Sequence, residues 1–211
     1  MSEAALRDQL AELGRSLFDR GYSVGTAGNI CVRLDDGYLM TPTNSCLGRL
    51  DPARISKLGK DWAHLSGDRP SKEVFLHRAV LDARPEAGAV VHLHSTHATA
   101  ISCLTPEGED ARIPPLTPYF VMRIGRRLPC IPYYRPGDAA MEPAVHAAAR
   151  EAKALLLANH GPVVSGASLA DAVHASEELE EAARLALLLR GVPGVRALNT
   201  AQVDDLLRTF G

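Results

Sequence analysis

Three histidines stand within six positions at the end of a short apolar run in AVVHLHSTHA, residues 89–98, although the chain has only eight histidines. Residues 89–91 have the β-branched character of a buried strand, and alternate side chains of a strand share a face. His92 and His94 are therefore predicted to point the same way and to offer two imidazole ligands to a metal ion. A histidine packed in a core gives the same local pattern, so a metal site needs a third ligand.

His160 is the candidate for that third ligand. It stands in the loop NHG, residues 159–161, directly after an apolar run that predicts a strand over 154–158. If the ends of the two strands lie together, His92, His94 and His160 form a three-histidine site. Such a site leaves one coordination position open, as catalytic zinc sites do. A turn histidine without a ligand role is the alternative reading of His160.

A candidate acid/base stands in GDRPSKE, residues 67–73. Ser71 and Lys72 are predicted at the first positions of a helix, where free N–H groups and the helix dipole favour an anion. Glu73 falls in the same first turn and is a candidate general acid/base. An acidic residue at that position also occurs simply because it complements the helix dipole.

Two further segments are rich in hydrogen-bond donors. GTAGN, residues 25–29, is a loop whose backbone amides can converge on a phosphate, although most loops of this kind are plain turns. TPTN, residues 41–44, closes the same predicted hairpin and returns Thr43 and Asn44 to the neighbourhood of Asn29. The hairpin therefore brings two donor-rich segments side by side.

The elements that position these residues follow from periodicity, caps and turn residues. The predicted elements are a helix from Ser2 to Gly21, a hairpin over 29–34 and 38–41, a short helix at 51–52, a helix from Ser71 to about Arg84, the histidine strand, a helix from about Asp138, strands over 154–158 and 162–165, and a long helix from Ser168 to Gly191. This mixture predicts an α/β fold, a three-layer α/β/α sandwich with a central, largely antiparallel sheet. Since no repeat or linker interrupts it, residues 1–211 are expected to form a single domain.

The composition excludes several classes of function. The net charge is −2, with 46% hydrophobic and 23% charged residues, so no basic surplus points to nucleic acid. No apolar run is long enough to span a bilayer, and the charged start MSEAALRDQL is unlike a signal peptide. The four cysteines are scattered, as in a protein with reduced thiols. We therefore expect a cytoplasmic protein that binds neither nucleic acid nor membrane.

Taken together, GTAGN, TPT, PSKE, HLH and NHG, in this order and at these intervals, resemble the class II aldolase/adducin-head family. That family includes L-fuculose-phosphate aldolase and L-ribulose-5-phosphate 4-epimerase. The resemblance covers nearly the whole chain, from Gly25 to the long helix ending near Arg190. It implies an α/β/α fold, a divalent metal on three histidines, a phosphorylated substrate, and a homotetramer with active sites at subunit interfaces.

Carried over by position, the resemblance implies that His92, His94 and His160 bind the metal, either Zn²⁺ or another divalent ion such as Mn²⁺ or Co²⁺. Glu73 would be the catalytic acid/base. The implied phosphate donors are Gly28, Asn29, Thr43, Asn44 and Ser71. Tyr119, in TPYFVMRIG, falls where the aldolases supply a catalytic tyrosine from a neighbouring subunit.

Lys72 departs from the aldolase pattern, which commonly has a second serine at this position. PSKE, together with PPLTPYFVMRIG and YYRPGD, is most similar to the branch of the family that decarboxylates a 3-oxo-tetronate 4-phosphate to dihydroxyacetone phosphate and carbon dioxide. A lysine adds a full positive charge for a substrate with both phosphate and carboxylate, or it strengthens the phosphate site alone. The implied activity is that of a metal-dependent carboxy-lyase acting through a metal-stabilised enediolate.

Two alternatives stay open at this point. One is a sugar-phosphate aldolase or 4-epimerase that uses the same site. The other is an adducin-like binding domain without a metal, although three histidines and Glu73 favour an enzyme. Arg123 and Arg135 are candidate partners of the substrate carboxylate, and His97 is expected beside the site. The remaining histidines are expected to be ordinary surface or helix-face residues: His64, His77, His146 and His174.

Overall fold

The computed structural model describes residues 2–210, and a mixed sheet of eight strands forms the centre of this region. The strands in chain order are β1 (Asn29–Leu34), β2 (Gly37–Met40), β3 (Ser56–Gly59), β4 (His64–Ser66), β5 (Ala89–His92), β6 (Cys130–Ile131), β7 (Ala154–Leu157) and β8 (Gly161–Gly166). They lie side by side in the order β4-β3-β2-β1-β5-β8-β7-β6. Every neighbouring pair is antiparallel except β6 and β7, so the predicted largely antiparallel sheet is confirmed.

Seven α-helices surround the sheet within the same described residues. They are α1 (Glu3–Asp19), α2 (Val74–Ala83), α3 (Thr96–Leu104), α4 (Pro118–Ile124), α5 (Glu142–Ala149), α6 (Leu169–Leu188) and α7 (Thr200–Phe210). Between residues 2 and 210, each helix is too short or too polar to cross a bilayer.

Alternation along the strands explains the three layers. Val90 of β5 and Leu155 of β7 pack with α2 and α5 on one face of the sheet. The next residues along, Val91 and Leu156, pack on the other face, which is covered by α1, α3, α4, α6 and α7. Strands buried on both faces read as continuous apolar runs, as β5 and β7 do. The predicted α/β/α sandwich is therefore confirmed.

The sheet brings three chain segments to one edge. Asn29, the first residue of β1, is paired with His92, the last residue of β5, and His92 is also paired with Val163 of β8. The tight turn between β7 and β8 contains His160. Gly161 lets this turn approach the chain after β5, because a Cβ there would lie 2.3 Å from the carbonyl oxygen of Leu93.

Two parts of the predicted helix pattern are corrected. The helix expected from Ser71 begins at Val74, with Glu73 as its N-cap, so Ser71 and Lys72 lie in the preceding turn. Pairing with the 41–43 segment holds Ser71 outside the helix, since its backbone N–H donates to the carbonyl oxygen of Thr41 at 3.2 Å. The patterns above also did not indicate α3, α4 or α7. The sequence of α3, THATAISCL, is rich in residues with low helix propensity.

Candidate active site

Three histidine side chains meet where β5 ends. His92 is the last residue of β5, His94 follows two positions later, and His160 lies in the β7–β8 turn. Nε2 of His94 lies 3.2 Å from Nε2 of His92 and 3.0 Å from Nε2 of His160. One ligand atom from each ring lies within 4.8 Å of the other two. The structure thus brings together the three histidines that the sequence singles out.

The arrangement of the three nitrogens fits a divalent metal ion. A tetrahedral site with metal–nitrogen bonds of about 2.0–2.1 Å separates its nitrogens by roughly 3.3 Å, close to the two observed spacings. Nδ1 of His92 lies 2.9 Å from the carbonyl oxygen of Pro162, so Nδ1 carries the proton and Nε2 offers its lone pair. Burial lowers the pKa of His92 to about 3 and also lowers the pKa values of His94 and His160. Three imidazoles with lowered pKa values and converging nitrogens are a donor set for a divalent cation.

Glu73 lies beside this cluster and is 7% exposed. Its Oε2 is 3.7 Å from Nε2 of His92, and its Oε1 is 3.9 Å from Nε2 of His160. Burial acts to raise the pKa of Glu73, but the neighbouring histidines, His92 first, and a hydrogen bond from Asn29 outweigh it and hold the pKa below its ordinary value. The result is a buried, ionised carboxylate next to the three histidines.

Asn29 connects Glu73 to a fourth histidine. Its Nδ2 donates to Oε2 of Glu73 at 2.8 Å, and its Oδ1 accepts from Nε2 of His77 at 2.5 Å. The amide of Asn29 is thereby occupied inside the protein by Glu73 and His77. His77 is fully buried on α2, so of the two expected settings the helix face is right and the surface is wrong. Its spacing of four residues from Glu73 was the available signal, because residues so spaced share a helix face.

The burial of His77 predicts an acid-sensitive fold. Burial lowers the pKa of His77 to about 4, whereas an exposed histidine in the unfolded chain has a pKa of about 6.5. Because the folded-state pKa is the lower one, the stability contribution is complete above about pH 6.5 and is lost as the pH falls toward 4. The free energy of unfolding should fall by on the order of 2–3 kcal/mol between pH 7.5 and 4.5 from this group alone.

Denaturant unfolding with a chelator present, at both pH values, measures this contribution. The His77→Gln variant cannot titrate at this position and should lose less stability on acidification than the wild type, by about the amount given above. His64→Gln, at an exposed position in β4, is the matched control and should behave as the wild type. Equal acid losses in the wild type and His77→Gln would contradict the prediction.

Apart from Asn29, the predicted phosphate donors lie in the loop before β1, in the segment after β2 and in the segment before α2. Gly28, with φ of +81°, packs against the end of β5, where a Cβ would lie 2.9 Å from the carbonyl oxygen of His92. Ser71 is buried, and its hydroxyl accepts from the backbone N–H of Glu73 at 3.3 Å. Thr43 and Asn44 line a hollow of about 350 Å³. Lys72 is exposed.

Tyr119 is not brought to the histidines within one chain. It lies on α4 with 60% of its surface exposed. The hollow of about 470 Å³ around it is lined by Arg20, Tyr22, Arg123 and residues of α6, and by none of the three clustered histidines. A catalytic role for Tyr119 therefore requires a second copy of the chain.

Glu180 on α6 is a buried carboxylate that the sequence patterns did not single out. Its Oε1 accepts from the backbone N–H and from Nδ1 of His97, both at 2.8 Å, and its Oε2 accepts from the backbone N–H of Ala98 at 2.8 Å. These N–H groups belong to the first turn of α3, which otherwise lacks partners for them. Glu180 therefore fixes the backbone that follows His94 and also holds the ring of His97.

Comparison with known proteins places the chain in a family. The model of the Class II Aldolase and Adducin N-terminal domain family matches residues 8–187. The chain belongs to this family. A 3-oxo-tetronate 4-phosphate decarboxylase from Cupriavidus necator is 48% identical, over 93% of this chain and 90% of the relative. The L-fuculose phosphate aldolase of Escherichia coli strain K12 is 32% identical, over 100% of this chain and 98% of the relative.

Solved structures of class II aldolase relatives have the same architecture. YgbL of Klebsiella pneumoniae, a candidate aldolase, epimerase or decarboxylase, superposes with a TM-score of 0.92 at 47% identity, over 98% of this chain and 99% of that chain. The fold and the family expected from the five motifs are both confirmed.

Proposed function

We propose that this class II aldolase family member is a 3-oxo-tetronate 4-phosphate decarboxylase, which converts a four-carbon β-keto acid phosphate into dihydroxyacetone phosphate and carbon dioxide. The observation that carries the proposal is the 48% identity, over nearly the full length, to bacterial enzymes of that name. The grouping of Glu73 with His92, His94 and His160 supports catalysis rather than a binding role alone. The protein is accordingly a carbon–carbon lyase of the carboxy-lyase type, and we propose that it acts in carbohydrate metabolism.

The three histidines are proposed to hold a divalent metal ion, with zinc the first choice. Imidazole nitrogens suit zinc, and Mn²⁺ or Co²⁺ are the alternatives. When bound, such an ion supplies Lewis-acid polarisation of the substrate ketone. The hydrogen bond between Nδ1 of His92 and Pro162 keeps that ring in the tautomer that a ligand needs.

Glu73 is proposed to deliver the proton that completes the reaction. The bond between C1 and C2 of the substrate breaks, C1 leaves as carbon dioxide, and the electron pair remains as an enediolate over C2 and C3. A proton must then be added to C2. Because Glu73 rests ionised, it takes up a proton from solvent in each cycle and passes it to C2, so one proton is consumed per turnover. Asn29 holds Oε2 of Glu73 during this exchange.

The substrate phosphate is proposed to bind near Gly28, Ser71 and Lys72, with Thr43 and Asn44 at the hollow that they line. Ser71 and Lys72 immediately precede Glu73, so an anion bound there lies next to the acid/base. The ammonium of Lys72 adds charge for a substrate that has both a phosphate and a carboxylate. Asn29 is proposed to act on Glu73 rather than on the phosphate, because its amide is already occupied.

Removal of the substrate phosphate is expected to lower kcat/KM by about 10²–10⁴-fold, the equivalent of losing two charge-assisted hydrogen bonds of about 1.5–3 kcal/mol each. The Lys72→Met variant should lose about 10–100-fold on the phosphorylated substrate and little on the dephosphorylated analogue. Lys60→Met, at another exposed lysine, is the matched control and should behave as the wild type. Equal kcat/KM for the two substrates would overturn the phosphate assignment.

We also propose a cytoplasmic homotetramer built from single-domain subunits of residues 1–211. The exposure of Tyr119, and the lining of the hollow around it, which includes none of the three histidines, support a role at the active site of a neighbouring subunit. The small-molecule partner is then a phosphorylated sugar acid.

An aldolase acting on a ketose phosphate is the second candidate, favoured by the 32% identity to an L-fuculose phosphate aldolase. Incubation with a panel of 3-oxo-acid and ketose phosphates separates the two, because the decarboxylase releases carbon dioxide and the aldolase releases an aldehyde. Carbon dioxide from the 3-oxo acid is the expected result, and aldehyde release alone would favour the aldolase.

A further inference from the structure

His77 is a buried imidazole that the proposed reaction does not use directly. It is fully buried on α2 in the apolar layer between this helix and the sheet, beside Leu76 and Val80. Nε2 bonds to Oδ1 of Asn29 at 2.5 Å. Nδ1 makes no side-chain hydrogen bond within residues 2–210, and the polar group beside the ring is the backbone of Val90 in β5. Burying a polar ring costs free energy, and the hydrogen bond to Asn29 offsets part of that cost.

The contact with Glu73 decides which end of the Asn29 amide faces His77. An asparagine amide has a donor end and an acceptor end, and the donor end, Nδ2, lies 2.8 Å from Oε2 of Glu73. Oδ1 of Asn29 must then face His77, and only a protonated Nε2 satisfies it. If the amide rotated by 180°, its carbonyl oxygen would face the carboxylate, and the two would repel each other.

We propose that His77 is a positioning residue for the reaction: its Nε2–H locks the Asn29 amide so that Nδ2 holds Oε2 of Glu73 and fixes the rotation of the carboxyl group beside the three histidines. The inference rests on the proposed function, since it assigns a task to His77 only if Glu73 handles a proton. His77 touches neither the substrate nor the three clustered histidines, so its loss should change kcat rather than KM or metal content.

Substitutions at position 77 separate positioning from packing. His77→Met removes the donor at similar volume, and kcat for carbon dioxide release should fall by about 10–100-fold, the value of a hydrogen bond to a charged group acting through Asn29. KM should stay within about twofold, because His77 makes no contact that binds the substrate equally in the ground state and the transition state. The metal content should not change, because His77 is not one of the three clustered histidines. His77→Gln restores an N–H donor and should recover most of the lost kcat. His77→Leu also removes the donor but has a different shape, and its kcat should fall by the same amount as that of His77→Met.

A double-mutant cycle with Asn29 gives the decisive result. If His77 acts through Asn29, His77→Met in an Asn29→Ala background should change kcat by less than about twofold, because the two effects are not additive. A second full loss in that background, or a kcat equal to wild type in both His77→Met and His77→Leu, would overturn the inference. Absence of carbon dioxide release by the wild type would instead overturn the proposed function.

Discussion

Replacement of His94 by alanine is expected to remove the bound metal and nearly all activity. His94 is the central member of the cluster, since its Nε2 is within 3.2 Å of the Nε2 atoms of both His92 and His160. Losing a direct ligand should weaken metal binding by more than the 10–100-fold typical of losing an outer partner. Elemental analysis of the purified variant, with kcat measured on the same sample, tests this.

His64→Ala is the matched control for this experiment. His64 lies on the exposed edge strand β4, so its loss should leave both the metal content and kcat unchanged. Addition of excess zinc or Mn²⁺ should restore part of the activity of His94→Ala if the lost affinity is the cause. A full metal complement with unchanged kcat in His94→Ala would exclude this cluster as the metal site.

Replacement of Glu73 by glutamine is expected to lower kcat by about 10²–10⁴-fold, the usual contribution of a positioned acid. Glutamine has the same shape, and its carbonyl oxygen still accepts from Nδ2 of Asn29, so the metal content and the phosphate affinity should be retained. An amide cannot supply the proton that C2 requires. Carbon dioxide should therefore be released slowly, with the product protonated from solvent.

The fate of the new hydrogen distinguishes a lost acid from a general defect. In D₂O the wild type should place deuterium on one face of the product carbon, whereas Glu73→Gln should place it on both. Glu86→Gln, at a carboxylate whose side chain is 63% exposed, is the control and should match the wild type. Turnover by Glu73→Gln at the wild-type rate would remove Glu73 from the reaction.

The metal cluster could be predicted because its members follow local rules. His92 and His94 obey strand periodicity, and His160 stands at the end of a second apolar run, so the sequence indicates which residues meet at one edge of the sheet. The order of the five short motifs then predicts the family and, with it, the α/β/α sandwich with its largely antiparallel sheet. Each of these signals lies within a few residues of the group that it positions.

The supporting contacts could not be predicted because they join distant parts of the chain. Asn29 and His77 are 48 residues apart, and Glu180 and His97 are 83 residues apart, so these pairs exist only once the sheet and its helices are assembled. The start of α2 was predicted at Ser71, before its actual start at Val74, because another contact between distant residues was not visible in the sequence. An antiparallel β-bridge between Pro42 and Pro70 keeps the backbone before Glu73 extended, so the helix cannot begin there.

Product analysis of the metal-loaded wild-type protein with a 3-oxo-tetronate 4-phosphate tests the central claim most directly. Both stereoisomers at C2 should be supplied, and carbon dioxide and dihydroxyacetone phosphate should be quantified together. The account predicts equal amounts of the two products from one stereoisomer at least, with turnover abolished by chelation and restored by a divalent metal. Failure to release carbon dioxide from either stereoisomer, with an aldehyde formed from a ketose phosphate instead, would contradict it.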